Sequence, residues 1–121
     1  TVVELDGEIL GKPHSREEAV SMLRRLSGRE HRVHTAVQIL SPVGSRSLVS
    51  TAEVHFAPMT DREIEWYVST GEPMDKAGAY GIQGYACRYI TGIRGDYYTV
   101  MGLPVQMLYR ALCDLGILGE D

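Results

Sequence analysis

Arg32-Val33-His34-Thr35-Ala36-Val37-Gln38-Ile39-Leu40, then Ser41-Pro42-Val43-Gly44-Ser45, then an alternating run from Leu48 to Phe56, is the stretch on which the fold turns. In an extended chain successive side chains point to opposite sides, so Val33, Thr35, Val37 and Ile39 share one face and His34, Ala36, Gln38 and Leu40 the other. Pro42 and Gly44 supply turn chemistry, and the two runs are predicted to pair as an antiparallel hairpin. Upstream, Thr1 to Leu5 reads as a strand, Asp6-Gly7 as a turn and Glu8 to Leu10 as the return. Ser15-Arg16-Glu17-Glu18 is a capping box, and Ala19, Met22, Leu23 and Leu26 recur at helical spacing until Ser27-Gly28.

Downstream, Thr60 and Glu63 form a second capping box for a helix carrying Ile64, Tyr67 and Val68 and stopping near Gly71. Tyr85 to Ile93 is expected to be a strand, Arg94-Gly95-Asp96 a turn, and Tyr97 to Met101 another short strand. Pro104 opens a last helix with Val105, Leu108, Leu112 and Leu115, closed by Gly116. Strands and helices intermingle, which predicts an α/β fold with a mixed sheet and flanking helices in a single domain over residues 1–121. The chain opens inside a strand, so the domain is expected to lack its amino-terminal part.

Composition narrows the function. With 44% hydrophobic and 23% charged residues the chain has the make-up of a globular domain. No run approaches the roughly 20 apolar residues that cross a bilayer, and no stretch shows the basic start and apolar centre of a signal peptide. A formal charge of −4 disfavours a nucleic-acid polymer as partner, because such binders present a basic stripe. Two cysteines, Cys87 and Cys113, are too few for a scaffold and point to a reducing, cytoplasmic setting.

Gly71-Glu72-Pro73-Met74-Asp75-Lys76-Ala77-Gly78-Ala79-Tyr80-Gly81-Ile82-Gln83-Gly84 differs in kind, dense in glycine and without clean periodicity. Glycine lets a ligand approach the backbone, so this is a candidate binding loop. Within it Asp75 can hold a divalent metal or activate water while Lys76 neutralises phosphate; a surface ion pair is the competing reading. Lys12, in Gly11-Lys12-Pro13 ahead of a capped helix, stands where a cation can meet a phosphate, against the alternative of a solvated loop lysine. His14, His31, His34 and His55 do not make a zinc pattern, since period two sends His31 and His34 to opposite faces.

Four segments, Gly7 to Pro13, Met22 to Arg29, Gly71 to Gly84 and Gly102-Leu103-Pro104, are similar in order and spacing to the Maf, or septum-formation, family. The resemblance implies a Maf and inosine-triphosphatase-like fold and a house-cleaning enzyme. Such an enzyme uses Mg²⁺ or Mn²⁺ to cut a nucleoside triphosphate between its α and β phosphates, releasing pyrophosphate. Carried over by motif, Lys12 and Lys76 would contact the phosphates, Asp75 would lie in the catalytic site and Gln83 would read the base. A glutamine amide offers an acceptor and a donor side by side, which suits the N3–H and O4 of uracil or thymine; a hydrogen bond to loop backbone is the other use of that side chain. Thr1 matches the threonine of the family's Ala-Asp-Thr motif and is the residue of its pyrimidine-preferring group, so dTTP and UTP are the expected substrates. The family's first phosphate-binding segment and the catalytic aspartate before that threonine have no counterpart in these residues, so little turnover is expected of the chain by itself. The alternative is an inactive nucleotide-binding or interaction fragment that forms a homodimer or associates with a regulator of septum formation. Metal ligands are not assigned by the sequence.

Overall fold

The computed structural model describes residues 1–119. Its centre is the predicted hairpin, strands β3 (Glu30–Ser41) and β4 (Gly44–Phe56), paired antiparallel from Glu30–His55 to Ser41–Gly44. The connection is only Pro42-Val43, tighter than the sequence suggested. Ser45-Arg46-Ser47 carries no apolar pattern yet extends the ladder, because backbone hydrogen bonding continues once the register is set. Strands β1 (Val2–Leu5), β2 (Glu8–Leu10) and β5 (Ile90–Arg94) complete a five-stranded sheet in the order β2-β1-β3-β4-β5. Every pairing among the described residues is antiparallel.

The two faces of the sheet differ as the alternation requires. One carries buried Val3, Leu5, His31, Val33, Thr35, Ala52, Val54 and Phe56. The other is polar, with His34 between Glu4 (2.6 Å) and Thr51 (2.7 Å). Helices α1 (Arg16–Leu26) and α2 (Asp61–Ser69) give Ala19, Leu23, Leu26, Ile64, Tyr67 and Val68 to the same core as the apolar face. Both begin as predicted: the Ser15 hydroxyl accepts from the Glu18 N–H at 3.0 Å, and both halves of the box form at Thr60 and Glu63.

Two expected strands are helical instead. Residues Tyr85–Tyr89 form a 3-10 helix, and the strand runs only over Ile90–Arg94. The apolar, aromatic composition suggested a strand, but the Tyr85 N–H is taken by the Glu72 carboxylate at 3.0 Å rather than by a ladder. Pairing with β4 runs from Phe56–Ile90 to Glu53–Arg94, with a register shift between His55 and Phe56. Residues Tyr97–Met101 form α3, because Asp96 caps it through the Tyr98 N–H (2.9 Å) and the Thr99 hydroxyl (3.1 Å) and Gly102, at φ +123°, ends it. Local capping outweighs the β preference of tyrosine, threonine and valine there. The last helix, α4 (Val105–Asp114), lies where Pro104 placed it. No helix among the described residues is long and apolar enough to cross a membrane.

Candidate functional site

A cavity of about 530 Å³ opens between the apolar face of the sheet, the Gly-rich segment and α3. Val3 and Val33 form its floor and Val100 and Met101 one wall. Lys12, Lys76, Gln83 and Thr1 all line it, so four of the five residues singled out in the sequence share one space. Asp75 is outside the lining but bonded to it, with Lys76 Nζ donating to its Oδ1 at 3.0 Å.

The Gly-rich segment is not an open loop. It holds two short 3-10 turns, Glu72–Asp75 and Ala77–Ala79, and its glycines mark close approaches. Gly78 sits at φ +71° with its N–H donating to the Gly11 carbonyl at 3.0 Å, and a Cβ there would lie 2.8 Å from Val3 Cγ2. That bond ties the backbone beside Lys12 to the backbone two residues after Lys76. At Gly81 a Cβ would fall 2.6 Å from Lys76 Cε, so the aliphatic stem of Lys76 runs across bare backbone.

Charge follows from this arrangement. The hydrogen bond and charge of Lys76, with Lys12 adding at longer range, hold the Asp75 carboxyl below its usual range. The carboxylate is thus ionised at neutral pH and mostly solvent-exposed, beside two ammonium groups. The two lysine ammonium groups are suited to a polyphosphate, and Asp75 to sharing a cation with phosphate oxygens. Gln83 is exposed, and its amide has no hydrogen bond among the described residues. Its donor and acceptor are therefore available to a ligand.

Sequence reasoning missed the supports behind these residues. The Thr1 hydroxyl meets that of Thr35 at 2.9 Å, Thr35 donates to the Thr99 carbonyl at 2.8 Å, and the Thr99 hydroxyl meets that of Ser50 at 2.8 Å. The signal was present as hydroxyl residues at inward-facing positions of an otherwise apolar stripe. Tyr80 lines the cavity and bonds His31 Nε2 at 2.6 Å behind it. Burial pushes the His31 imidazole down to about 4 and the Tyr80 phenol well above its ordinary range, so both are neutral. Glu72, read only as part of the loop, lines the cavity too; its carboxylate accepts from the Tyr67 hydroxyl, and burial with this bond keeps that phenol protonated.

His31 and His34 do lie on opposite faces. Across the hairpin, Glu30, Glu53 and His55 bring one ligand atom each within 4.8 Å of one another. They stand on the polar face, away from the cavity, with His55 paired to Glu30 at 3.5 Å and Glu53 to Arg94 at 3.8 Å.

A family model described as Maf-like protein matches residues 1–115. The chain is 53% identical over 117 residues to a dTTP/UTP pyrophosphatase of Bacillus velezensis, which covers 97% of this chain and 62% of the relative. It is 51% identical over 112 residues to a dTTP/UTP pyrophosphatase of Thermus thermophilus, covering 93% of this chain and 60% of that protein. A relative with the same name in Symbiobacterium thermophilum is 53% identical over 118 residues, 96% of this chain and 60% of its own length. The chain thus spans less than two thirds of each of these relatives.

Proposed function

We propose, from the premise that this chain belongs to the Maf-like family, that its cavity binds the substrate of a nucleoside triphosphate pyrophosphatase acting on dTTP and UTP. The products are the nucleoside monophosphate and pyrophosphate. The observation that carries this reading is the meeting of Lys12, Lys76, Gln83 and Thr1 in one cavity, whose volume lies in the range of small-ligand sites, with Asp75 joined to it through Lys76.

The division of labour follows from charge. Lys12 and Lys76 take the triphosphate, and Gln83, outside that charged cluster, takes the base. Phosphoryl-type cleavage asks little covalent chemistry of a protein; positioned cations and an oriented water supply most of it. A divalent metal, Mg²⁺ or Mn²⁺, fits a donor set of one exposed, ionised carboxylate together with substrate phosphate oxygens, and Asp75 is that carboxylate. When bound, it would neutralise charge on the phosphates. A cytosolic setting belongs to the same proposal.

The test is the product balance of dTTP hydrolysis with Mg²⁺ by a full-length protein carrying this chain. Equal amounts of dTMP and pyrophosphate are expected, and orthophosphate as the first product overturns the cleavage site. Lys76→Ala is expected to lower kcat/KM about a hundredfold and Lys12→Ala less, since Lys76 also holds Asp75. Equal, negligible losses would return both lysines to the solvated surface.

A further inference from the structure

The turn that carries Gln83 is fastened at both ends by the same pair of side chains. At its start, the Gly81 N–H donates to the Tyr67 hydroxyl at 3.2 Å. At its end, the Tyr85 N–H donates to Glu72 Oε1 at 3.0 Å. The two acceptors are themselves joined, because the Tyr67 hydroxyl donates to Glu72 Oε2. Tyr67 is fully buried in α2, so the whole device is anchored in the hydrophobic core. Gly84 completes it: a Cβ there would lie 1.8 Å from Glu72 Oε1, so only glycine next to Gln83 lets the carboxylate reach its place.

From this geometry we infer that Tyr67 and Glu72 are positioning residues for base selection, holding the turn 81–85 so that the free amide of Gln83 meets the pyrimidine edge. The inference rests on the proposed base-reading role of Gln83. A side chain that must present a donor and an acceptor together discriminates only if its backbone is held, and here both flanking amides are held by one buried hydroxyl and one carboxylate. Glu72 adds a second effect. Its charge lines the cavity near Gln83 and repels phosphate, which orients the triphosphate toward Lys12 and Lys76.

The test compares the full-length protein with its Tyr67→Phe, Glu72→Ala and Glu72→Gln variants. Three readouts are taken: the ratio of kcat/KM for dTTP over GTP, the affinity for inorganic tripolyphosphate, and hydrogen exchange at the Gly81 and Tyr85 amides. Tyr67→Phe is expected to free the Gly81 amide and Glu72→Ala the Tyr85 amide, and each is expected to cut the dTTP preference about tenfold, with tripolyphosphate bound as before or more tightly. Glu72→Gln keeps an acceptor for the Tyr85 N–H and a partner for Tyr67, and is expected to retain most of the preference. A preference unchanged in all three variants overturns the inference and leaves the base-reading role of Gln83 standing. Parallel losses for dTTP and tripolyphosphate overturn it as well, since they would mark a general support of the fold. A wild-type protein with no preference for dTTP over GTP removes the base-reading role itself, and the inference with it.

Discussion

The β3–β4 hairpin and the segment from Gly71 to Tyr89 meet at the cavity and share one core, and their conformations are fixed in different ways. In the hairpin, a period-two stripe of Val33, Val54 and Phe56 is buried by the hydrophobic effect, and the register repeats the pattern for twelve pairs. In the segment, Ala79, Tyr80, Ala86 and Tyr89 join the same core, but no repeating register places them, and conformation is set point by point: Gly78 against Val3, Gly81 under the Lys76 stem, Tyr67 and Glu72 on two amides. The lesson is that the regular element gives the floor and the irregular one gives polar groups that line the cavity, the kind of place where functional groups on loops commonly sit.

The contrast can be broken by substitution. Phe56→Ala removes a buried ring from the hairpin and is expected to cost about 3–5 kcal/mol, measured by urea unfolding. In the segment, Gly78→Ala meets both a left-handed backbone and Val3, at an expected cost of about 1–3 kcal/mol with loosening confined to the cavity side. Its control is Gly71→Ala, equally left-handed at φ +80° with nothing within 4 Å, expected near 1 kcal/mol. Equal costs at Gly78 and Gly71 would mean that close packing is not what holds the segment.

Acid sharpens the comparison where hairpin and segment share a buried polar pair, His31 and Tyr80. The His31 pKa is 6.5 unfolded and about 4 folded, so the unfolded chain binds the extra proton first. Its stabilising contribution is complete above pH 6.5 and is lost as pH falls toward 4, by at most about 3 kcal/mol. His31→Gln, which does not titrate and can still meet the Tyr80 hydroxyl, is expected to flatten the stability profile in that window. An unchanged slope would assign the acid sensitivity to other groups.

How much was legible follows the same division. The hairpin, α1 and α2 were readable because alternation, helical spacing and capping boxes are local signals that tertiary structure here reinforces. Tyr85–Tyr89 and Tyr97–Met101 were misread as strands, since what decides them is a carboxylate thirteen residues away in one case and the Asp96 cap in the other. Lys12, Asp75 and Lys76 could be named from their charge and glycine context, whereas Gln83 and Thr1 were named only through the resemblance to the Maf family. Thr35, Thr99, Ser50 and the pairing of Tyr67 with Glu72 could not, because each looks like ordinary packing or a solvated charge until the fold brings the partners together.

The central claim is that the irregular segment presents Gln83 to a pyrimidine base above that regular floor, and nucleotide preference tests it most directly. The measurement is kcat/KM for dTTP, UTP and 7-methyl-GTP with the full-length protein and its Gln83→Glu variant. Glutamate can only accept, which suits the paired donors and positive charge of the methylated guanine, so the ratio is expected to move toward 7-methyl-GTP by about ten- to a hundredfold. An order of preference unchanged by Gln83→Glu would contradict the account.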